Sequence, residues 1–339
     1  MSKLFNSKIL ILIQRYKIQT AISLIFLGLL IIFFIANVRA FTSPYTYTSI
    51  FAFVPFVIIP ALALTYLIIC GEIDLSFPSI MGFGSWIFSV VTLSTGYPLL
   101  GLFSGLVAGA IAGLLNGLLV TKIRIPSLIL TLGTMYMWSG ITMIGCEGRP
   151  ISLLSLVETM FYKFFIGEIY LVPTQMLWAI GLAIVFWIFL NTHKFGAHVY
   201  FTGDNIRGAK LMGINTDKVK ILCFTLMGVF SAFAGILAAL KMANFWPGIG
   251  EGYLMLAIAA VVVGGTPITG GYGTIYGTVI GAILIQMVVT GVLSAGFTGF
   301  WTQFVIGLTI VVALAVQSIL RGSLQMRAKK LIFKIKKID

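Results

Sequence analysis

Apolar runs about as long as a bilayer is thick recur along almost the whole chain, separated by short polar connections. A hydrocarbon core of about 30 Å takes roughly 20 apolar residues per helix, and lipid offers the backbone no hydrogen-bonding partner, so such runs become spanning helices. They fall at 20–38, 50–70, 79–95, 99–120, 127–145, 173–191, 220–240, 253–266, 275–293 and 301–320. This pattern predicts an all-α, polytopic membrane protein of about ten transmembrane helices, a single transmembrane domain over 1–339. Only 9% of residues are charged, where a soluble domain carries about a quarter, so a soluble globular fold is excluded.

Lys and Arg number 22 against 9 Asp and Glu, a net charge of +13. Such an excess can mark a nucleic-acid binder, but here the cations sit in short loops and tails, where they set topology instead. With the amino terminus inside, 18 basic residues fall on the inner side, and Arg39, Arg149, Lys163 and Lys241 fall outside. Both termini are then cytoplasmic, 321–339 is a basic cytoplasmic tail, and 192–219 is the largest inner loop. Lys3, Lys8, Arg15 and Lys17 precede the first run, which shows no small-residue cleavage site and reads as a retained helix.

Residues that could carry catalysis are scarce. His193 and His198 both lie in the basic inner loop, and Cys70, Cys146 and Cys223 are far apart in or beside apolar runs, where packing is the expected role. No metal-ligand spacing and no G-x-x-x-x-G-K-[ST] loop occurs, so neither a metal nor another cofactor is expected, the chain is not read as an enzyme, and energy from ATP would have to come from a separate subunit. Glu72 and Asp74 stand between two apolar runs, and carboxylates so near hydrocarbon are costly enough to suggest function. With Ser76, and Asn116 in the fourth run, they are the candidates for a solute path. Each has a structural alternative: Asp74, Ser76 and Ser79 can cap the third helix, and Asn116 can bond a neighbouring helix. Glu251 reads as a solvated residue at the outer entrance to the eighth run.

Gly101, Gly105, Gly109, Gly113 and Gly117 form a four-residue stripe in the fourth run, and Gly273, Gly277 and Gly281 form another in the ninth. Such stripes let helix backbones approach closely, and their places fit an inverted repeat relating runs two to five to runs seven to ten. The eighth run, about 14 residues, is too short to cross upright and leads into the glycine-rich stretch Gly264 to Gly273, a pattern that lines cavities at membrane depth. The outer segment 146–172 contains the apolar Met160 to Ile166, expected as a helix along the interface. Within the inner loop, Val199, Ile206, Leu211, Met212 and Ile214 suggest a short amphipathic helix, capped near Asp204 or Asn205 and ended at Gly213, presenting a face to a partner.

Three segments in register resemble the ribose-type permease family of ABC importers, which includes permeases for other simple sugars and for autoinducer-2. GEIDLSFPS, residues 71–79, is similar to the family's GGIDLSVGS; GDN followed by KLMGINTDKVK is similar to its cytoplasmic GGN and RLSGIN loop; and AIAAVVVGGTPITGGYGTIYGTVIGA, residues 257–282, is similar to its AIAAVVLGGTSLxGGxGxxxGTxIGA stretch. The match runs from about residue 40 to 320. It implies a permease in a bacterial inner membrane, surrounded by lipid, with a second permease subunit of the same or a homologous kind, two ATP-binding subunits and an extracytoplasmic solute-binding protein. It assigns Gly71, Asp74, Leu75 and Ser76 to an intramembrane motif. Gly203, Asn205, Gly213, Ile214 and Asn215 match the loop that couples to the ATPase, with Asp204 between them, and Gly264, Gly265, Gly270, Gly271, Gly273 and Gly277 match the broken-helix segment. Glu72 stands where the family commonly has Gly, Phe77-Pro78 replaces Val-Gly, Ile206 replaces an acid, and Leu254-Met255-Leu256 replaces Glu-Leu-Asp. These departures point to a divergent branch or to one of two unlike permeases. The expected activity is import of a neutral, sugar-like solute. An ion-coupled secondary transporter, or an ABC permease for nucleosides or amino acids, stands as the alternative.

Overall fold

The computed structural model describes residues 37–312 continuously, together with 27, 28, 30–32, 34, 35 and 315. Most of the first run, the cations ahead of it, the end of the tenth run and the tail 321–339 lie outside the described residues.

Among the described residues the regular structure is helical apart from two pairs of two-residue strands, as expected. Helix α1 spans Pro44–Phe53 and α2 spans Pro55–Ile69, with a 44° bend between them. Pro55 has no N–H to donate back into α1, so the helix restarts there. Next come α3 (Phe77–Thr95), α4 (Pro98–Leu118), α5 (Ser127–Gly145) and the short α6 (Met160–Ile166). Helix α7 (Thr174–Thr192) leads to α8 (Lys194–Asp204), α9 (Ile206–Leu211) and the long α10 (Thr216–Lys241). Helices α11 (Tyr253–Val263), α12 (Ile275–Ser294) and α13 (Gly299–Val312) close the described chain.

Among the described residues six helices are long and apolar enough to cross a membrane, or seven if α1 and α2 form one bent span. The expected count of about ten is therefore not reached. The difference has physical causes: α11 has only 11 helical residues, about 16 Å at about 1.5 Å per residue, because Gly264 and Gly265 end it early. Helix α13 is described over only 14 residues, and most of the first run is not described. Where a run is bounded by local stop signals the match is close: the run at 127–145 coincides with α5, between Pro126 and Cys146.

Helices α2 and α10 form the centre. Every residue of α2 is buried. Helix α10 packs against α3 and α4 on one side, and α2 packs against α11 and α12 on the other, while α2 and α10 meet each other. The glycine stripe of α4 is what brings it close to α10: a Cβ on Gly109 would lie 2.4 Å from the Gly228 carbonyl oxygen, and one on Gly113 2.2 Å from that of Phe224. Gly105 sits equally close to Gly84 of α3. On the other side, Gly277 and Gly281 of α12 lie against Gly264 and Ala260. Both stripes thus serve helix packing.

The segment 146–172 does contain a helix, α6, and it is folded onto the bundle. Phe165 and Ile166 are buried, and the Phe165 ring stacks on Trp178 at 5.3 Å. Ile151–Ser152 pairs antiparallel with Asn244–Phe245 and ties this segment to the connection between α10 and α11.

Candidate functional site: a motif junction and two cavities

Helix α2 ends through Gly71, whose φ of +87° suits glycine, with the Glu72 N–H donating to the Leu67 carbonyl at 3.0 Å. The chain then turns into α3. Asp74 Oδ1 accepts from the Ser76 N–H at 2.7 Å and from the Ser76 hydroxyl at 2.6 Å, and Asn116 Nδ2 of α4 donates to the same hydroxyl at 2.8 Å. All three side chains are fully buried. Of the structural roles anticipated for them, the interhelical bond of Asn116 is present, while Asp74 braces the turn ahead of α3 instead of capping the helix. Ser76 occupies the N-cap of α3 and makes no side-chain capping bond. Asp74 Oδ2 and Asn116 Oδ1 are buried without a partner. Glu72 is separate from this cluster and forms an ion pair with Lys220, in the first turns of α10.

The loop 192–219 folds as two helices, where one was expected, because the chain breaks at Asn205 with φ −151°. Asn205 caps α9 by accepting from the Gly208 N–H at 3.0 Å. Gly213, at φ +80°, ends it, with the Ile214 N–H donating to the Ala209 carbonyl. Asn215 then caps α10 by accepting from the Lys218 N–H at 3.0 Å. These residues reproduce the expected cap and stop. Ile214 is buried, whereas Leu211 is 91% exposed beside an exposed Met212.

After α11, Gly265, Gly270 and Gly271 all adopt positive φ, which lets the chain fold tightly under α2. The Gly271 N–H donates to the Ile69 carbonyl at 2.9 Å, Gly270 lies against Gly71, and Tyr200 of α8 donates its hydroxyl to the Gly273 carbonyl at 2.7 Å. Gly203 packs against both Ile69 and Gly271, and Asp204 against Gly271. The three segments singled out in the sequence, around 71, 203 and 270, therefore meet at one junction.

Two cavities were not legible in the sequence. One, an open cavity of about 260 Å³, is lined by Pro78 and Ser79 of α3, Met135, Tyr136 and Ser139 of α5, and the strap running from Pro247 to Leu254. Glu251 lies in this strap and is exposed, in keeping with the solvated residue expected there, while Gly250 presses on the Pro78 carbonyl at the start of α3. The other cavity, about 400 Å³, is bounded by Glu72, Thr121, Arg124, Ser127, Lys210, Asp217 and Lys220. Among the described residues no cluster of His, Cys, Asp or Glu could hold a metal, and the three cysteines are buried and free.

A bundle of apolar helices around a broken one, with a capped helical loop bearing on its core, defines a multi-pass membrane permease. The chain belongs to the family described as branched-chain amino acid transport system, permease component, whose family model matches residues 46–314. It is 32% identical over 290 residues to the ribose import permease protein of Bacillus subtilis, covering 85% of this chain and 90% of that one. It is 32% identical to the autoinducer 2 import system permease protein of Yersinia enterocolitica, over 92% of this chain and 86% of the other. The corresponding protein of Photorhabdus luminescens is 30% identical, over 83% and 84%. No solved structure matches the chain.

Proposed function

We propose that this chain is the membrane-spanning subunit of an ATP-driven importer that carries a sugar or sugar-like solute into the cytoplasm. The observation that carries this reading is the junction at Gly203, Ile69 and Gly271, where the helical loop touches the end of α2 and the glycine segment after α11 with no side chain between. A force applied to α9 reaches α2 and the broken-helix segment directly. The printed functions of the relatives, ribose and autoinducer 2 import, supply the cargo class.

In this reading residues 192–219 form the cytoplasmic coupling loop of a single permease domain, both termini are cytoplasmic, and separate ATP-binding subunits hydrolyse ATP. A solute-binding protein delivers cargo at the outer face, and a second permease subunit completes the path. The pairing of α10 with α3 and α4, mirrored by that of α2 with α11 and α12, supports the inverted repeat and a rocking of one half against the other. Glu72, Asp74 and Ser76 belong to the turn that the solute must pass, and Asn116 of α4 bonds to it.

The test is uptake of radiolabelled ribose by proteoliposomes holding the chain with its ATP-binding and solute-binding subunits. ATP-dependent accumulation is expected. Uptake that proceeds without ATP, driven by a proton or sodium gradient, would replace this reading with a secondary transporter.

A further inference from the structure

Both cavities touch α5, and each also touches one end of the stretch between α2 and α3: Glu72 lines one, and Pro78 and Ser79 line the other. Ser127 opens α5 and lines the charged cavity, while Met135, Tyr136 and Ser139 line the other. Nine residues of helix separate Ser127 from Tyr136, about 13 Å at about 1.5 Å per residue. The turn fills that interval: Ile73 donates its N–H to the Ser127 hydroxyl at 3.3 Å, Ser76 is bonded to Asn116, and Pro78 and Ser79 form a wall of the far cavity. One end of the turn, Glu72, faces the charged cavity and is held by Lys220.

We propose that the two cavities are halves of one solute track along α5, that 73–79 is the partition between them, and that the Glu72–Lys220 ion pair is the latch that holds the partition shut in this structure. The proposal rests on the permease reading and deepens it. The chamber beyond the partition takes a small hydroxyl-bearing neutral solute. It offers the hydroxyls of Ser79, Tyr136 and Ser139, a carboxylate on Glu251 that has no side-chain partner among the described residues, and apolar surface from Met135, Pro247 and Leu254. Its volume lies just below the range of about 300–1,000 Å³ common for small-molecule sites.

The latch is placed to feel the coupling loop. Lys220 sits one turn beyond the Asn215 cap and seven residues beyond the Gly213 hinge, so a displacement of α9 turns the start of α10 and draws Lys220 from Glu72. Both side chains are largely shielded, 15% and 11% exposed, so their attraction is less screened than that of a surface pair. Arg124, Lys210 and Asp217 face the same cavity and offer the separated charges new partners.

The test uses the assembled importer in sealed vesicles, with Ser139→Cys as a reporter for a membrane-impermeant thiol reagent; the native cysteines are buried. With the latch intact, the reporter is labelled from one face only. Glu72→Gln and Lys220→Met are each expected to raise labelling from the opposite face at least fivefold and to let preloaded radiolabelled ribose leak without ATP. The reversed pair, Glu72→Lys with Lys220→Glu, is expected to restore one-sided labelling, which a misfolded protein would not do. Unchanged labelling in both single variants, or failure of the reversed pair to restore it, overturns the latch. Labelling that behaves as expected in vesicles that never accumulate ribose with ATP would uphold the latch and overturn the sugar-importer reading.

Discussion

A Cβ placed on Gly203 would lie 1.6 Å from the carbonyl oxygen of Ile69, so the last turn of α8 rests on the last turn of α2 backbone to backbone. Nothing compressible separates the helical loop from the buried centre of the bundle. Gly203→Ala must therefore push the two helices apart. The expected result is an importer that still inserts and binds its ATP-binding subunits but loses at least tenfold in ribose uptake per ATP hydrolysed, measured in proteoliposomes. Uptake at the wild-type ratio would show that the contact transmits nothing.

The stripe in α4 yields a contrast between glycines of one chain. A methyl on Gly109 or Gly113 meets a backbone carbonyl at 2.4 or 2.2 Å, whereas one on Gly133 of α5 meets nothing within 4 Å. Gly109→Ala and Gly113→Ala are expected to cost about 1–3 kcal/mol of stability through overpacking. Gly133→Ala should be neutral, or stabilising by up to about 1 kcal/mol through helix propensity. Thermal unfolding of the detergent-solubilised protein distinguishes them.

Asp74 holds the Ser76 N–H and hydroxyl where all of these groups are fully buried. Asp74→Ala leaves both donors without that acceptor and should destabilise by about 1–3 kcal/mol. Asn116→Ala removes one bond to the same hydroxyl. The two losses are expected not to add, with a coupling of about 0.5–3 kcal/mol in a double-mutant cycle, because Ser76 is the shared partner. Strict additivity would mean the three side chains act independently.

At Gly213 the constraint is conformational alone: φ is +80° and a Cβ would touch nothing within 4 Å. Gly213→Ala is expected to cost about 1–2 kcal/mol, the usual strain of a left-handed residue, and Gly213→Asn less. Hydrogen exchange at the start of α10 reports the loosened stop. Equal protection in the wild type and both variants would mean the turn holds without its glycine.

Leu211 projects from the end of α9 almost fully exposed. A large apolar side chain displayed on a short capped helix suits a partner's groove. Leu211→Asp should leave the fold intact and reduce co-purification of the ATP-binding subunits at least tenfold. Undiminished co-purification would place their docking surface elsewhere.

What could be read from the residues in order was whatever local chemistry controls. Apolar runs bounded by Pro, Gly and Asn predicted α5, α7 and α12 to within a residue or two, and Asn205, Gly213 and Asn215 occupy the cap and stop positions their types suggest. The glycine stripes announced close helix contact but not which helix each would meet. Asp74, Ser76 and Asn116 were recognisable one by one, and their union in a single hydrogen-bonded cluster required α4 to lie beside the turn before α3.

The chain's own order thus determined that it spans a membrane, where most of its helices begin and end, and which family it belongs to. Those properties follow from bilayer thickness and from the bonding needs of each helix end, both of which act within a few neighbouring residues. Only the packed bundle decided that Lys220 would meet Glu72, that the strap bearing Glu251 would lie against the start of α3, and that two cavities would share α5. Such meetings depend on how helices far apart in the chain cross one another, and no local preference encodes a crossing.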